Sequence, residues 1–285
     1  AFGVSMASNA ATTPAPAADA ATAESRKLAE LVDAYFEEQL KLNPLLATSI
    51  GDPRYNDRFE VTISPEWRAR DENLERDYLE RLKSIDPTRL SGQDALTYEI
   101  FKSAREREIE GFRFPGHLIP VNQFYSVPNS FAQLGSGNGL HPFKTVKDYE
   151  DFLKRVNGFV AWTDQAIVNM REGIAKGYTL PKVLVERTLP QLAAQLVEKP
   201  EDSLYWGPIA NLPASFAAEE QARLTAAYRA AITNQVIPSY RRLHDFLRDE
   251  YLPKARTSVG FDALPDGQAW YEYNVRNITT TDYTP

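Results

Sequence analysis

Residues 145–177 read TVKDYEDFLKRVNGFVAWTDQAIVNMREGIAKG, and this stretch decides the fold class. Thr145 and Asp148 have the spacing of a capping box, in which the hydroxyl accepts from a first-turn amide and the carboxylate reaches back to the capping residue. Tyr149, Phe152, Val156, Val160, Thr163, Ile167, Met170 and Ile174 then keep an apolar stripe at near-heptad spacing as far as Gly177. The spacing predicts one long helix with a broad buried face.

The same signals recur on either side. Upstream, Leu28, Leu31, Val32, Tyr35, Phe36 and Leu40 share a face that Asn43-Pro44 brings to an end. Ser64-Pro65-Glu66 opens a second helix with Leu74, Tyr78, Leu82 and Ile85 on its stripe, and Ser91 with Asp94 reads as another capping box ahead of Ala95, Tyr98, Phe101 and Ala104. Downstream, Thr179-Leu180-Pro181 starts a helix through Val185, Leu189, Leu192 and Leu196, with a kink expected at Pro190. Ser215 is expected to cap a long helix carrying Leu224, Tyr228, Ile232, Val236, Tyr240, Leu243, Leu247 and Tyr251, bent at Pro238 and stopped at Pro253.

Two segments break the pattern. Gly111 to Pro142 has no periodicity and reads as a long loop, too apolar to be disordered and so expected to pack against something or to lie exposed where its cover is missing. Trp270 to Ile278, after the turn Pro265-Asp266-Gly267, reads as a strand because Tyr271, Tyr273 and Val275 alternate. The predicted fold is therefore mainly α, a multi-helix array with a small β element near the C-terminus. The array occupies residues 23–285, and residues 1–22 read as a signal remnant or flexible linker. Thr284-Pro285 resembles the opening of one more helix.

With 285 residues, 43% of them hydrophobic, the chain can bury a sizeable core. Its one apolar terminal run, Ala1 to Ala7, falls far below the ~18 residues that span a bilayer, so no membrane span is expected. The Ala/Ser/Thr/Pro-rich residues that follow resemble the tail of a secretory signal and point to a periplasmic or secreted protein. The absence of cysteine excludes disulfides, a thiol nucleophile and Cys-ligated zinc. A net charge of −7 argues against a nucleic-acid partner, whose phosphates need Lys and Arg. The arginines between Arg68 and Arg107 alternate with Glu and Asp, as on a solvated helix face.

No complete reactive constellation appears. A zincin helix needs two histidines one turn apart with a Glu between them, whereas His117, His141 and His244 stand far apart and none has a partner at i+3 or i+4. Gly135-Ser136-Gly137-Asn138-Gly139 lacks the Lys-Ser/Thr and the preceding strand of a phosphate loop, and Leu134 takes the place of the first glycine of a nucleophile elbow. Glu37-Glu38 and Glu106, Glu108 and Glu110 read as solvated helix charge. No catalytic residue and no metal ligand is assigned to this chain.

Several blocks do carry a resemblance: Val185-Glu186-Arg187 with Leu189-Pro190-Gln191-Leu192, Tyr251 to Arg256, Leu264-Pro265-Asp266-Gly267, and Tyr271 to Arg276 with Thr279-Thr280-Thr281-Asp282. Pro120-Val121-Asn122-Gln123 with His141-Pro142 matches more weakly. Together they resemble the bacterial family catalogued as domain of unknown function 885, over most of residues 23–285. The resemblance implies a helix-rich fold akin to His-Glu-x-x-His zinc peptidases of the carboxypeptidase and angiotensin-converting types, often exported. It implies too that zinc, its ligands and the glutamate base lie in a continuation beyond Pro285, so that these residues hold no cofactor and form the amino-terminal, substrate-cleft-forming half of an exported peptidase. The partners implied are a peptide substrate and the carboxy-terminal half or another chain. Arg276 and Tyr271 of the expected strand, with Asn122, Gln123 and Tyr125 of the aromatic loop, are the candidate substrate-binding residues. The rival reading is a non-catalytic helical module that binds peptide or envelope components.

Overall fold

The computed structural model describes residues 22–284. The linker expected over residues 1–22 and the last proline fall almost wholly outside that span. Thr22 accepts from the Ser25 amide and opens α1 (Ala23–Leu42), after which α2 (Pro44–Ser49) is a single short helix. Ser64 accepts from the Trp67 amide and opens α3 (Pro65–Leu82), which packs along α4 (Gly92–Gly111). Leu28, Leu31, Tyr78, Leu82, Ile85, Tyr98 and Phe101 close a first core among α1, α3 and α4. The capping box expected at Ser91 does not form: the chain enters α4 through Gly92 at φ 54°, and the Ser91 side chain makes no capping bond.

The second and larger core surrounds the stretch quoted above. α5 (Val127–Gly135) leads into α6 (Val146–Lys176), where Thr145 and Asp148 form the reciprocal capping box and Gly177 ends the helix at φ 82°. Phe131 of α5 stacks on Phe159 of α6 at 4.3 Å between ring centres, and Gly135 is required there because a Cβ would meet the rings of Phe152 and Tyr205 at 2.4 and 2.5 Å. The core is completed by α7 (Lys182–Ala193), the single turn α8 (Gly207–Ala210), α9 (Ala218–Ala231) and α10 (Ile237–Phe246). Pro190 lies inside α7, and α9 starts after Ala217 rather than on Ser215.

Residues 111–142 are not the irregular loop that their lack of periodicity suggested. Ser126-Val127-Pro128 opens α5 with a proline in its first turn, and Leu118, Val121, Phe131 and Leu134 are buried against the chain's own helices. Only Phe124, Tyr125 and Leu140 of its large apolar residues stay exposed, so the segment covers itself.

The rod of α9 and α10 widens into π turns at Ile232–Val236 and Leu247–Tyr251, closed by Ile237 N–H on the Ile232 carbonyl and Leu252 N–H on the Leu247 carbonyl. Each closes on the residue before a proline, Pro238 or Pro253. Proline cannot donate and crowds the carbonyl four residues back, and a wider turn accommodates both defects.

The expected C-terminal strand is a helix, α11 (Gly267–Thr279). Its buried residues are Gly267, Trp270 and Tyr273, one helical turn apart, and they pack with Phe114 and Leu264 in a third small cluster. Alternation of Tyr271, Tyr273 and Val275 is the wrong period, because no described strand lies beside this segment to satisfy an extended backbone. Among the described residues the β structure is one isolated parallel bridge, Pro181 with Arg256. No described helix is long and apolar enough to cross a membrane.

Candidate functional site

Helix α11 docks on the last turns of α4 and on Phe114 just beyond them. Trp270 stacks on Phe114 at 5.7 Å, Tyr273 lies 5.1 Å from the same ring, and the Tyr273 hydroxyl donates to the Arg107 carbonyl at 3.1 Å. Gly111 must lack a side chain here, since a Cβ would stand 2.4 Å from that hydroxyl oxygen. Burial pushes the Tyr273 phenol above its ordinary range, and the nearby Glu108 and Glu110 add to this.

One turn beyond Tyr273, Arg276 faces α4 and its Nη2 donates to Glu110 Oε1 at 2.6 Å. Thr280, at φ 55°, closes the helix with its amide on the Arg276 carbonyl. The result is a cavity of about 260 Å³ whose walls include Ser103, Arg107, Arg276, Thr280, Thr281 and Asp282. Arg107 Nη1 donates to Ser103 Oγ at 2.6 Å, so the cavity combines two guanidiniums, two carboxylates and several hydroxyls. Such a set suits a small polar ligand or chain end bearing a carboxylate, for which arginine offers paired donors.

The five expected binding residues do not converge. Arg276 lines the cavity; Tyr271, on the same helix, is 45% exposed and leans towards Phe261 instead. Asn122, Gln123 and Tyr125 form a separate turn. Asn122 Oδ1 accepts from the amides of Phe124 and Tyr125 at 2.8 and 2.7 Å, and its own amide donates to the Tyr125 carbonyl. Gln191 of α7 donates to the Gln123 carbonyl at 3.1 Å and accepts from Asn129, which fixes the turn to the body. Phe124 and Tyr125 project from it, 78% and 90% exposed.

A much larger open groove, about 1040 Å³, follows α8 and α9, but its floor is Ala218, Ala222, Ala226 and Ala230. Its arginine, Arg229, is paired with Glu201 and lies over the Trp206 ring, so the groove offers little chemistry.

The histidines do not fit a zinc centre. His141 Nδ1 and Nε2 are both engaged, by Arg155 and by the Asp148 carbonyl; His117 Nε2 faces Arg68 at 3.2 Å; and His244 Nδ1 lies 3.1 Å from Asp245. Among the described residues no group of three or more His, Asp or Glu is placed to hold a metal ion.

Two buried arginines were missed in the sequence. Arg105 meets Glu75 between α4 and α3, inside the run that reads as a solvated face, and Arg155 is wholly buried on α6. Nothing local marks either one, because Glu75 lies on a separate helix from Arg105 and the nearest partner of Arg155 in the chain, His141, is still 14 residues off.

No curated protein matches the sequence. The fold is similar to that of a crystal structure described as a "putative lipoprotein from Colwellia psychrerythraea", with a TM-score of 0.75 and 17% identity over 93% of this chain. This chain spans about half of that one, covering 48% of its length. At that identity the likeness is one of fold. The family model described as "Bacterial protein of unknown function (DUF885)" matches residues 44–285, and the chain belongs to that family.

Proposed function

We propose that this chain forms the amino-terminal wall of the substrate cleft in an exported zinc-dependent peptidase, with the metal site supplied by polypeptide outside these residues. The observation that carries the reading is the cavity between α4 and α11. It presents Arg276 and Arg107 beside hydroxyls, and it is built largely from residues 273–282, within one of the blocks that carry the family resemblance. A substrate carboxylate can compete for Arg276 at little expense, because the Arg276–Glu110 pair is over a third exposed on both sides and such pairs contribute little. Export is in keeping with the description of the Colwellia protein as a lipoprotein.

The test is Arg276→Ala in the longest natural polypeptide that carries this chain. Zinc content and peptide turnover are measured together. A loss of about tenfold or more in turnover or substrate binding is expected, roughly the 1.4 kcal/mol of one charge-assisted contact, with little change in melting temperature. Unchanged kinetics in a folded, zinc-loaded variant would remove Arg276 from the site, and a long form with no zinc and no peptide hydrolysis would remove the peptidase reading.

The exposed pair Phe124 and Tyr125 on its braced turn favours a second reading, a non-catalytic module that binds peptide or envelope components. In that case Phe124→Ser/Tyr125→Ser abolishes binding, and Arg276→Ala does not.

A further inference from the structure

Arg155 is 0% exposed, yet no carboxylate touches its guanidinium. Nε donates to the Arg58 carbonyl at 3.0 Å, Nη2 to Thr48 Oγ1 and to the Tyr55 carbonyl, and Nη1 to His141 Nδ1 at 2.8 Å. A guanidinium only donates, so Nδ1 must be a bare lone pair. His141 Nε2 lies 2.8 Å from the Asp148 carbonyl, which only accepts, so Nε2 carries the hydrogen. The ring is therefore a neutral Nε2–H tautomer with nowhere to put a second proton: at Nδ1 it would set two N–H donors of like charge face to face.

Through Arg155, this one imidazole steadies the segment between α2 and Phe59. Thr48 of α2 and the Tyr55 and Arg58 carbonyls tie the segment to Arg155 of α6, beside an outer Lys154–Asp57 contact at 3.5 Å, and Thr48 also donates to Asn56 at 2.8 Å. Past this point the attachment is of another kind. Phe59 lies so close to Gly158 that a Cβ there would meet the Phe59 carbonyl at 2.2 Å, and its ring packs edge-on against Phe131.

We infer that the Arg155–His141 junction is an acid-operated catch: a proton taken from solvent by His141 Nδ1 breaks it and frees the Thr48–Arg58 segment from α6 while the rest of the array stays folded.

Charged groups surround the junction. The Asp148 carboxylate is turned to the amides of Lys144 and Thr145. Asp151 is buried but paired with Lys147 and with Lys154 at 3.6 Å, and Lys154 in turn reaches Asp57 on the held segment. The Arg58 guanidinium lies over the Tyr55 ring. Burial disfavours a charged imidazole most and Arg155 adds repulsion; against the pull of the Asp148 carbonyl and of the Asp148 and Asp151 carboxylates, His141 is held down to about 4.

The sign follows. Once the 48–58 segment has left and Arg155 can turn to solvent, the His141 ring regains its ordinary affinity, so the open form binds more protons between about 6.5 and about 4, and opening is promoted as pH falls. The opening constant for residues 48–58 should rise about tenfold per pH unit from about pH 6 to about pH 4.5.

The experiment is hydrogen exchange of the whole chain from pH 7 to pH 4.5, with protection corrected for intrinsic exchange rates. Peptides covering 48–58 should lose protection in that window while α9 and α10 keep theirs. His141→Asn, which offers Arg155 an acceptor that does not titrate, should flatten the response, and His117→Asn should leave it in place. If His141→Asn fails to fold, a nitrogen NMR titration of wild-type His141 decides: a bare Nδ1 at neutral pH and titration well below 6.5 support the catch. Protection at 48–58 that ignores pH, loss spread evenly over the chain, or a protonated Nδ1 at neutral pH would overturn it.

Discussion

Arg105 and Arg155 are both buried arginines, and the chain satisfies them in opposite ways. Arg105 contacts the Glu75 carboxylate, which also accepts from the Tyr35 hydroxyl at 2.7 Å and from Gln39 at 3.0 Å, and its guanidinium lies 4.0 Å over the Tyr35 ring. Even so, burial pushes the Glu75 carboxyl above the usual range, against the pull of Tyr35 and Arg105. Arg155 has only neutral acceptors, and burial brings it down to about 10, so it stays charged at any physiological pH. The two junctions are therefore sensitive to different changes. An ion pair fails when either charge is removed, whereas a cation on neutral acceptors fails when an acceptor takes up a proton.

The comparison can be tested hardest by Arg105→Met. It strands a buried carboxylate, and a loss of ~3–5 kcal/mol in chemical unfolding is expected, most of it recovered when Glu75→Leu is added. A loss below about 1 kcal/mol would show that the pair is not felt as a buried one. Arg155→Met should cost less, ~2–4 kcal/mol, because it strands acceptors rather than a charge and the Tyr55 and Arg58 carbonyls are only partly buried. Equal or greater destabilisation than Arg105→Met would reverse the ranking. The smallest effect belongs to Glu110→Gln, whose pairing with Arg276 is over a third exposed; stability should stay within ~0.5 kcal/mol of wild type, and a larger drop would make that pair structural.

How far the sequence could be read depended on how far apart in the chain the deciding contacts lie. The Thr145–Asp148 box and the Tyr149-to-Ile174 stripe were legible because a capping box closes within one turn and a stripe repeats along a single helix. The same signals at Ser126-Val127-Pro128 were hidden among glycines and aromatics, and α5 went unread although a proline near its start marks it. At Trp270 to Ile278 the aromatic alternation suited a strand equally well on paper; Phe114, more than 150 residues upstream, chose the helix by offering a surface to Trp270 and Tyr273. Of the candidate site, Arg276 was legible as an arginine in a distinctive block. Its partner Glu110 and the cavity walls on α4 were not, since Glu110 lies 166 residues upstream.

The sequence by itself determined a helical array, the long central helix with its cap and stop, the absence of any cysteine chemistry and the family. Each of these is written in residue types or in spacings of a few residues, where backbone geometry alone ties pattern to shape. The tertiary structure decided that the last segment is a helix, that residues 111–142 cover themselves, that Arg276 meets Glu110, and that two arginines lie inside. Those outcomes depend on which surfaces are left to bury and on which distant groups can satisfy a buried charge. Burial and pairing are properties of positions in space, and a linear spacing does not record them.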